Sequence, residues 1–346
     1  MSIIRVLIVE DCIEISKGLT DILNSDPEII VAGIAQNEKE AIELVQKLEP
    51  NLIMIDIDRL DIKGLEAVKQ IMAYRPTPIL VMHTQEPKKE IDSTFQAISF
   101  GALDVIKVFS AYTEKNKEKI SGELISKVKH LSRIQVIHHP LAKLHEPKNN
   151  LSLKSSNENS KNKVIGIAAS TGGPKALLSI LKRLPKDLPC PIIVVQHISG
   201  DFLPGLVEWL NKECQIEICI ARDKEQIVPE KVYIAPIGFH IRVANKGITV
   251  LSDEPPRNYF KPSADILLES IGNIYQEKAV GIILTGIGRD GVDGMKTIKR
   301  LGGMTIAQDE KTCAVFGMPQ AAIEEGIIDK VLSIEDIPDE IFKALK

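Results

Sequence analysis

Three things are missing from this 346-residue chain: a cysteine framework, an apolar run long enough to cross a bilayer, and an excess of basic charge. The five cysteines, at positions 12, 190, 214, 219 and 313, are odd in number and scattered, and none forms a Cys-x-x-Cys pair. Neither a disulfide framework nor a zinc site is indicated, and a reducing cytoplasm fits. No apolar run approaches the ~18 residues of a spanning helix, and the opening "MSIIRVLIVEDC" lacks signal-peptide architecture, so no membrane insertion is expected. A formal net charge of −4 argues against a nucleic-acid partner, because such proteins usually carry a basic domain or stripe.

What is present is ordinary globular material, 44% apolar and 26% charged, in a chain long enough for two cores. Short apolar runs at 3–9, 29–35, 52–57 and 78–82 alternate with stretches of helical spacing such as Glu38 to Leu48. The alternation fades after about residue 108, and a charged helical segment follows from Thr113 to Leu131. "HEPKNNLSLKSSNENSKNK", residues 145–163, has too little apolar surface to fold and reads as a flexible linker. Alternation restarts at Val164, with candidate strands at 164–168, 192–196, 232–235, 280–285 and 304–307. The expectation is an α/β protein of two doubly wound parallel-sheet domains, 1–131 and 164–346, joined by a linker over 132–163.

In such sheets ligands bind at the carboxyl ends of the strands. The run "VLIVED" ends in Glu10 and Asp11, and "LIMIDID" ends in Asp56 with Asp58 beyond. Acidic oxygens converging there suit Mg²⁺, and a carboxylate beside such an ion can accept a phosphoryl group. A single acid at a strand end would be a solvated side chain; the set is what points to chemistry. This half resembles a response-regulator receiver domain of flavodoxin-like fold. The resemblance implies a metal pocket of Glu10, Asp11 and Asp56, with Asp56 as the phosphorylation site. Three positions depart from the family pattern: Leu60 stands for a proline, His83 for a switch Thr or Ser, and Val108 for a lysine, with Lys107 one residue early.

"VIGIAASTGGPKALLSIL", residues 164–181, places Ser170 and Thr171 on a glycine-tight corner between a strand and a helix opened by Pro174. A serine there exposes its hydroxyl at the sheet edge, next to unpaired N–H groups of the helix start. "IIVVQHISG" puts His197 after a second strand, and "GIILTGIGRDGVDG" puts Asp290 after a third. Ser, His and Asp on three strand ends suit nucleophilic catalysis, whatever their order in the chain. Taken singly, Ser170 is also a helix cap, His197 a packed histidine and Asp290 a turn residue. "ASTGG" matches neither common phosphate-binding glycine motif.

Together with "VYIAPIGFHIRV", "KPSADILLESI", "LTGIGRDGVDGM" and "TIAQDEKTCAVFGMPQAAIEEGIID", these segments make residues 164–340 similar to the catalytic domain of chemotaxis protein-glutamate methylesterases, the CheB family. The resemblance implies a larger, Rossmann-like three-layer catalytic domain behind the receiver. It implies Ser170 as nucleophile, His197 as general base and acid, and Asp290 as orienting carboxylate. Thr171, Gly172 and Ile287 would support the turn and the oxyanion; Ile287 stands where the family commonly has Met, and Lys261 where it has Arg. The implied activity is hydrolysis of receptor glutamyl methyl esters to methanol, with deamidation of receptor glutamines as a second activity. Implied partners are methylated chemoreceptors and a chemotaxis histidine kinase. Mg²⁺ would serve the receiver only, and the esterase would need no cofactor.

Overall fold

The structure, a computed structural model, describes residues 3–83, 91–108, 117–134 and 163–345. The chain divides into two compact units, Met1–Glu146 and Pro147–Lys346. The Asn/Ser/Lys-rich stretch expected to be a linker lies, all but Lys163, outside the described residues.

The first unit alternates β1 (Ile4–Val9), α1 (Ile13–Asn24), β2 (Ile29–Ala35), α2 (Glu38–Leu48), β3 (Leu52–Asp56), α3 (Ile57–Tyr74), β4 (Ile79–His83), α4 (Ile91–Ser99), β5 (Asp104–Lys107) and α5 (Lys117–Leu131). Its sheet has the order β2-β1-β3-β4-β5 with every pairing parallel. All five residues of β3 and all five of β4 are buried, as strands covered on both faces must be. Strand order reverses beside β1, so the ends of β1 and β3 frame the crevice where such sheets bind ligands.

The second unit runs β6 (Val164–Ala169), α6 (Gly173–Leu181), β7 (Ile192–Gln196), α7 (Leu203–Glu213), β8 (Glu217–Ile220), β9 (Lys231–Ile234), β10 (His240–Ala244), β11 (Ile248–Ser252), α8 (Ala264–Tyr275), β12 (Ala279–Ile283), α9 (Val292–Arg300), β13 (Met304–Gln308), α10 (Met318–Glu324), β14 (Lys330–Leu332) and α11 (Ile337–Ala344). Seven parallel strands take the order β14-β13-β12-β6-β7-β9-β8. Both units are therefore α/β with parallel sheets. Strands β8, β10, β11 and β14 escape a reading by apolar runs. β8 and β14 are short and end the sheet, with one buried residue in β8 and none in β14; β10 and β11 form a separate antiparallel hairpin.

Strand β6 lies at the reversal of this second sheet, flanked by β7 and β12, and all six of its residues are buried. Val164 and Ala168 share a core cluster with Ile193 and Val195 of β7, Leu267, Leu268 and Ile271 of α8, and Met295 and Ile298 of α9. Gly166 sits on the same face, where an added Cβ would lie 2.6 Å from Leu268 Cδ2 and 2.8 Å from Ile271 Cδ1. The missing side chain lets α8 approach the central strand. Gly166→Val should overpack this contact and lower stability by about 1–3 kcal/mol, read as an earlier midpoint in urea. An unchanged midpoint would mean that α8 is not seated this closely.

Candidate active site

Hydrogen bonding carries the central ladder of the second sheet past the ends of its strands. His197 N–H donates to Ala169 O (2.9 Å) on one side of β6, and Leu284 N–H donates to Ala168 O (2.8 Å) on the other. Ser170 N–H then donates to Thr285 O (3.1 Å), which fixes the serine at the first position beyond β6. The chain turns at once: Gly173 N–H closes on Ser170 O at 2.8 Å, and Gly172 adopts a left-handed φ of 77° that a residue with a Cβ would strain to reach. Pro174 occupies the first turn of α6, where its missing N–H is no loss.

Four further residues hold this corner, and nothing in local sequence marks them. Gln196 is buried and its Nε2 donates to both Ser170 O (2.8 Å) and His197 O (2.9 Å), bracing two strand ends with one amide. Thr285 Oγ1 donates to Thr171 O (2.9 Å) and accepts from Val315 N–H (2.9 Å), while Gln308 Oε1 receives Thr285 N–H at 2.9 Å. Gly286 allows the loop after β12 to close, since a Cβ there would lie 2.7 Å from Ser170 Cβ.

His197 and Asp290 meet directly, Nε2 to Oδ2 at 2.8 Å. The Asp290 carboxylate is 1% exposed and accepts three more bonds: Ser263 Oγ to Oδ1 (2.6 Å), Ala264 N–H to Oδ2 (2.7 Å) and Asp265 N–H to Oδ1 (3.2 Å). Burial alone would push its pKa up, but these donors, His197 foremost, hold it below the ordinary carboxylate value. Ala264 and Asp265 open α8, so Asp290 satisfies N–H groups that the helix itself leaves unpaired. Asp265 returns the arrangement, its Oδ1 accepting from Gly291 N–H (2.9 Å) and Gly294 N–H (3.0 Å) at the start of α9. It has fewer donors, and burial, reinforced by the Asp290 charge, pushes it up to about 7. His240, fully buried, accepts Ser263 N–H on Nδ1 (3.2 Å) and donates from Nε2 to Pro255 O (3.0 Å). Phe260 lies flat on the His197 ring, with centroids 4.1 Å apart and planes inclined by 6°. His197 Nδ1 is buried and has no hydrogen-bond partner among the described residues.

The acidic edge of the first unit follows a different balance. Glu10 and Asp56 are both buried, at the ends of neighbouring strands. Glu10 Oε1 accepts Cys12 N–H at 2.8 Å, yet burial, with Asp56 beside it, pushes the Glu10 carboxyl up to about 9. Asp11 is exposed, and among the described residues no three His, Cys, Asp or Glu side chains form a metal cage. Two crowded buried carboxyls with one exposed acid fit Mg²⁺, which binds through one or two carboxylates and keeps its waters. His83 is buried, its Nε2 2.7 Å from Thr94 Oγ1 on α4. At the lysine position of the family pattern stands a buried Val108, while Lys107 ends β5 opposite His83. Leu60 falls within α3, and its side chain is outside the described residues.

Residues 165–341 match the CheB methylesterase family, and residues 6–110 match the response regulator receiver domain. The chain belongs to the CheB methylesterase family. A protein-glutamate methylesterase/protein-glutamine glutaminase of Methanococcus maripaludis is 38% identical over 363 residues, covering 100% of this chain and 99% of the relative. One of the same name from Pyrococcus horikoshii is 35% identical over 348 residues, covering 99% and 94%. The crystal structure of the Thermotoga maritima CheB methylesterase catalytic domain matches with 38% identity and a TM-score of 0.51, over 52% of this chain and 97% of that one. Among the described residues no helix is long and apolar enough to cross a membrane.

The raised Asp265 gives a pH test of this family's buried acids. An unfolded aspartate titrates near ~3.9, so between that value and 7 the folded chain holds a proton that the unfolded chain has lost. Native stability relative to Asp265→Asn should therefore fall as pH rises from 4 to 7 and level off above, in urea unfolding at a series of pH values. A difference that rises with pH would place the Asp265 carboxyl below its ordinary value.

Proposed function

We propose that this chain removes methyl esters from glutamate side chains of methyl-accepting chemoreceptors, releasing methanol, and deamidates receptor glutamines by the same route. The observation carrying this reading is that Ser170 and His197 directly follow adjacent strands β6 and β7 and Asp290 lies in the loop after neighbouring β12, with His197 Nε2 bound to Asp290 at 2.8 Å. Asp290 stays ionised and can only accept, so Nε2 carries the ring proton and Nδ1 keeps a lone pair. Nδ1 is then the base.

Ser170 Oγ attacks the ester carbonyl and passes its proton to Nδ1. The tetrahedral intermediate collapses with loss of methanol, which takes that proton. Water then attacks the glutamyl-serine ester, again giving a proton to Nδ1, and Ser170 leaves with it. Gly172 and Ile287 N–H groups donate to no acceptor among the described residues, which suits them to receive the oxyanion, while Thr285 Oγ1 donates to Thr171 O in the same turn. With a glutamine substrate the leaving group is ammonia. Asp290 holds the ring and offsets the imidazolium charge that forms in each half.

The receiver reading assigns Asp56 as phosphoryl acceptor. Glu10, Asp11 and Asp56 would hold Mg²⁺, which supplies charge neutralisation for phosphoryl transfer. A chemotaxis histidine kinase is the proposed donor, the cytoplasm the proposed location, and removal of a block on the esterase the proposed consequence of phosphorylation. Ser170→Ala should lower methanol release from methylated receptor membranes by about 10³-fold or more at unchanged folding; retained turnover would sink the triad. A small-molecule phosphodonor with Mg²⁺ should raise release in the intact chain and leave Asp56→Ala unmoved. Equal rates with and without donor would mean that the receiver, with His83 and Val108, no longer switches.

A further inference from the structure

A general base bound at one atom is only half positioned. The bond from His197 Nε2 to Asp290 fixes one corner of the ring, while the terminal torsion of a histidine side chain is broad, so Nδ1 can swing about that bond. A second restraint has to act on the face of the ring. Phe260 supplies one, with its plane within 6° of the imidazole and centroids 4.1 Å apart.

The segment bearing Phe260 is built to hold that ring still. Arg257 and Phe260 pair in both directions, N–H to O at 3.1 Å and 2.9 Å, around a two-residue turn. Asn258 and Tyr259 both take left-handed φ, 52° and 71°, the geometry of a tight hairpin turn that non-glycine residues adopt at a cost. Tyr259 is 99% exposed, so its own packing offsets none of that strain. The anchoring comes from Arg257, which grips Glu269 of α8 through two bonds (2.6 and 2.8 Å) and reaches Asp293 of α9 at 3.4 Å. Three residues past Phe260, Ser263 and then Ala264 and Asp265 bind Asp290. The six residues from Phe260 to Asp265 therefore hold the imidazole face at one end and the carboxylate at the other.

We propose that Phe260 is a positioning residue for the esterase reaction: stacked on His197 and fixed by the Arg257 turn, it sets the ring plane so that Nδ1 serves Ser170. The proposal rests on the esterase reading above and adds to it a residue that acts through His197. Leucine keeps the bulk and apolar character of Phe260 but has no flat face; tyrosine keeps the face.

The test compares full-length wild type, Phe260→Leu and Phe260→Tyr in methanol release from methylated receptor membranes, in thermal unfolding, and by ¹⁵N NMR of the His197 ring. Phe260→Leu should lose about tenfold in kcat, as expected for removal of an aromatic stack, with KM within about twofold and melting unchanged. Phe260→Tyr should restore kcat. In the NMR arm, wild type and Phe260→Tyr should hold a single Nε2–H tautomer, and Phe260→Leu should show exchange between ring states. Wild-type kcat and a single tautomer in Phe260→Leu would overturn the proposal. Failure of Phe260→Tyr to restore both readouts, or parallel losses of melting temperature and kcat, would reduce Phe260 to packing and overturn it equally. Should Phe260→Leu not fold, Phe260→Met is held to the same outcomes. Absence of methanol release by wild type would instead defeat the esterase reading, and the NMR arm would still decide whether Phe260 orders the ring.

Discussion

A carboxylate taken out of water has to be matched by donors, and the second unit is arranged around one that is. Asp290 accepts four hydrogen bonds, from His197, Ser263, Ala264 and Asp265. Removing any of them would leave part of a buried charge uncompensated, which is far more damaging than the loss of an ordinary bond. The entry of α8 is placed by this demand: Ser263 stands at its N-cap position but gives its hydroxyl to Asp290, and the first two helical N–H groups follow. Asp265, reaching back to the start of α9, makes the capping mutual and locks together two helices that pack along their length. The loop that delivers Asp290 to His197 is thereby fixed from both sides.

The two sheets put their acids at equivalent places and treat them in opposite ways. In the second, Asp290 is saturated with donors and held ionised, so the His197 nitrogen that meets it donates. In the first, Glu10 is crowded against Asp56 with few donors and is pushed up to about 9. Such a pair is relieved by a cation, whereas the Asp290 site is already neutralised by its surroundings. Burial raises both; bonds from His197, Ser263 and the Ala264 N–H bring Asp290 down, whereas the neighbouring Asp56 carboxyl raises Glu10 further. This difference is what the proposed roles draw on, a metal and a phosphoryl group at the first site and acyl transfer at the second.

How far the sequence could be read follows from the same physics. Strands β3, β4, β6 and β7, buried on both faces, appear as unbroken apolar runs, and α2 declares its limits by periodicity. Ser170 and His197 stand out because each directly follows such a run, and Asp290 because it sits in the glycine-rich loop after another. Phe260, Ser263, Gln196, Thr285 and Gln308 do not, because their roles exist only once distant strand ends meet. "RNYFKPS" has no periodicity at all; its order comes from left-handed turn residues and from Arg257 clamped to α8 and α9. The short edge strands β8 and β14 bury too few side chains to leave a pattern.

Why so many small residues crowd around a single serine follows from what must approach it. Ser170 is 8% exposed, yet in the proposed reaction its hydroxyl would meet a carbonyl, a histidine and an oxyanion pocket at once. Gly172 brings the turn against Ala314, Gly173 packs against Gln196, and Gly286 against Ser170 itself; a Cβ at any of them would collide. The backbone can then come close enough for N–H groups, which need no side-chain entropy to be ordered, to do what a longer polar side chain would do with less precision. On the proposed reading Ile287 would contribute only its main-chain N–H, which donates to no acceptor among the described residues, so its side chain would be free to vary. The same reasoning separates it from Phe260, where the flat face of the side chain is the contribution and a residue of equal bulk would not replace it.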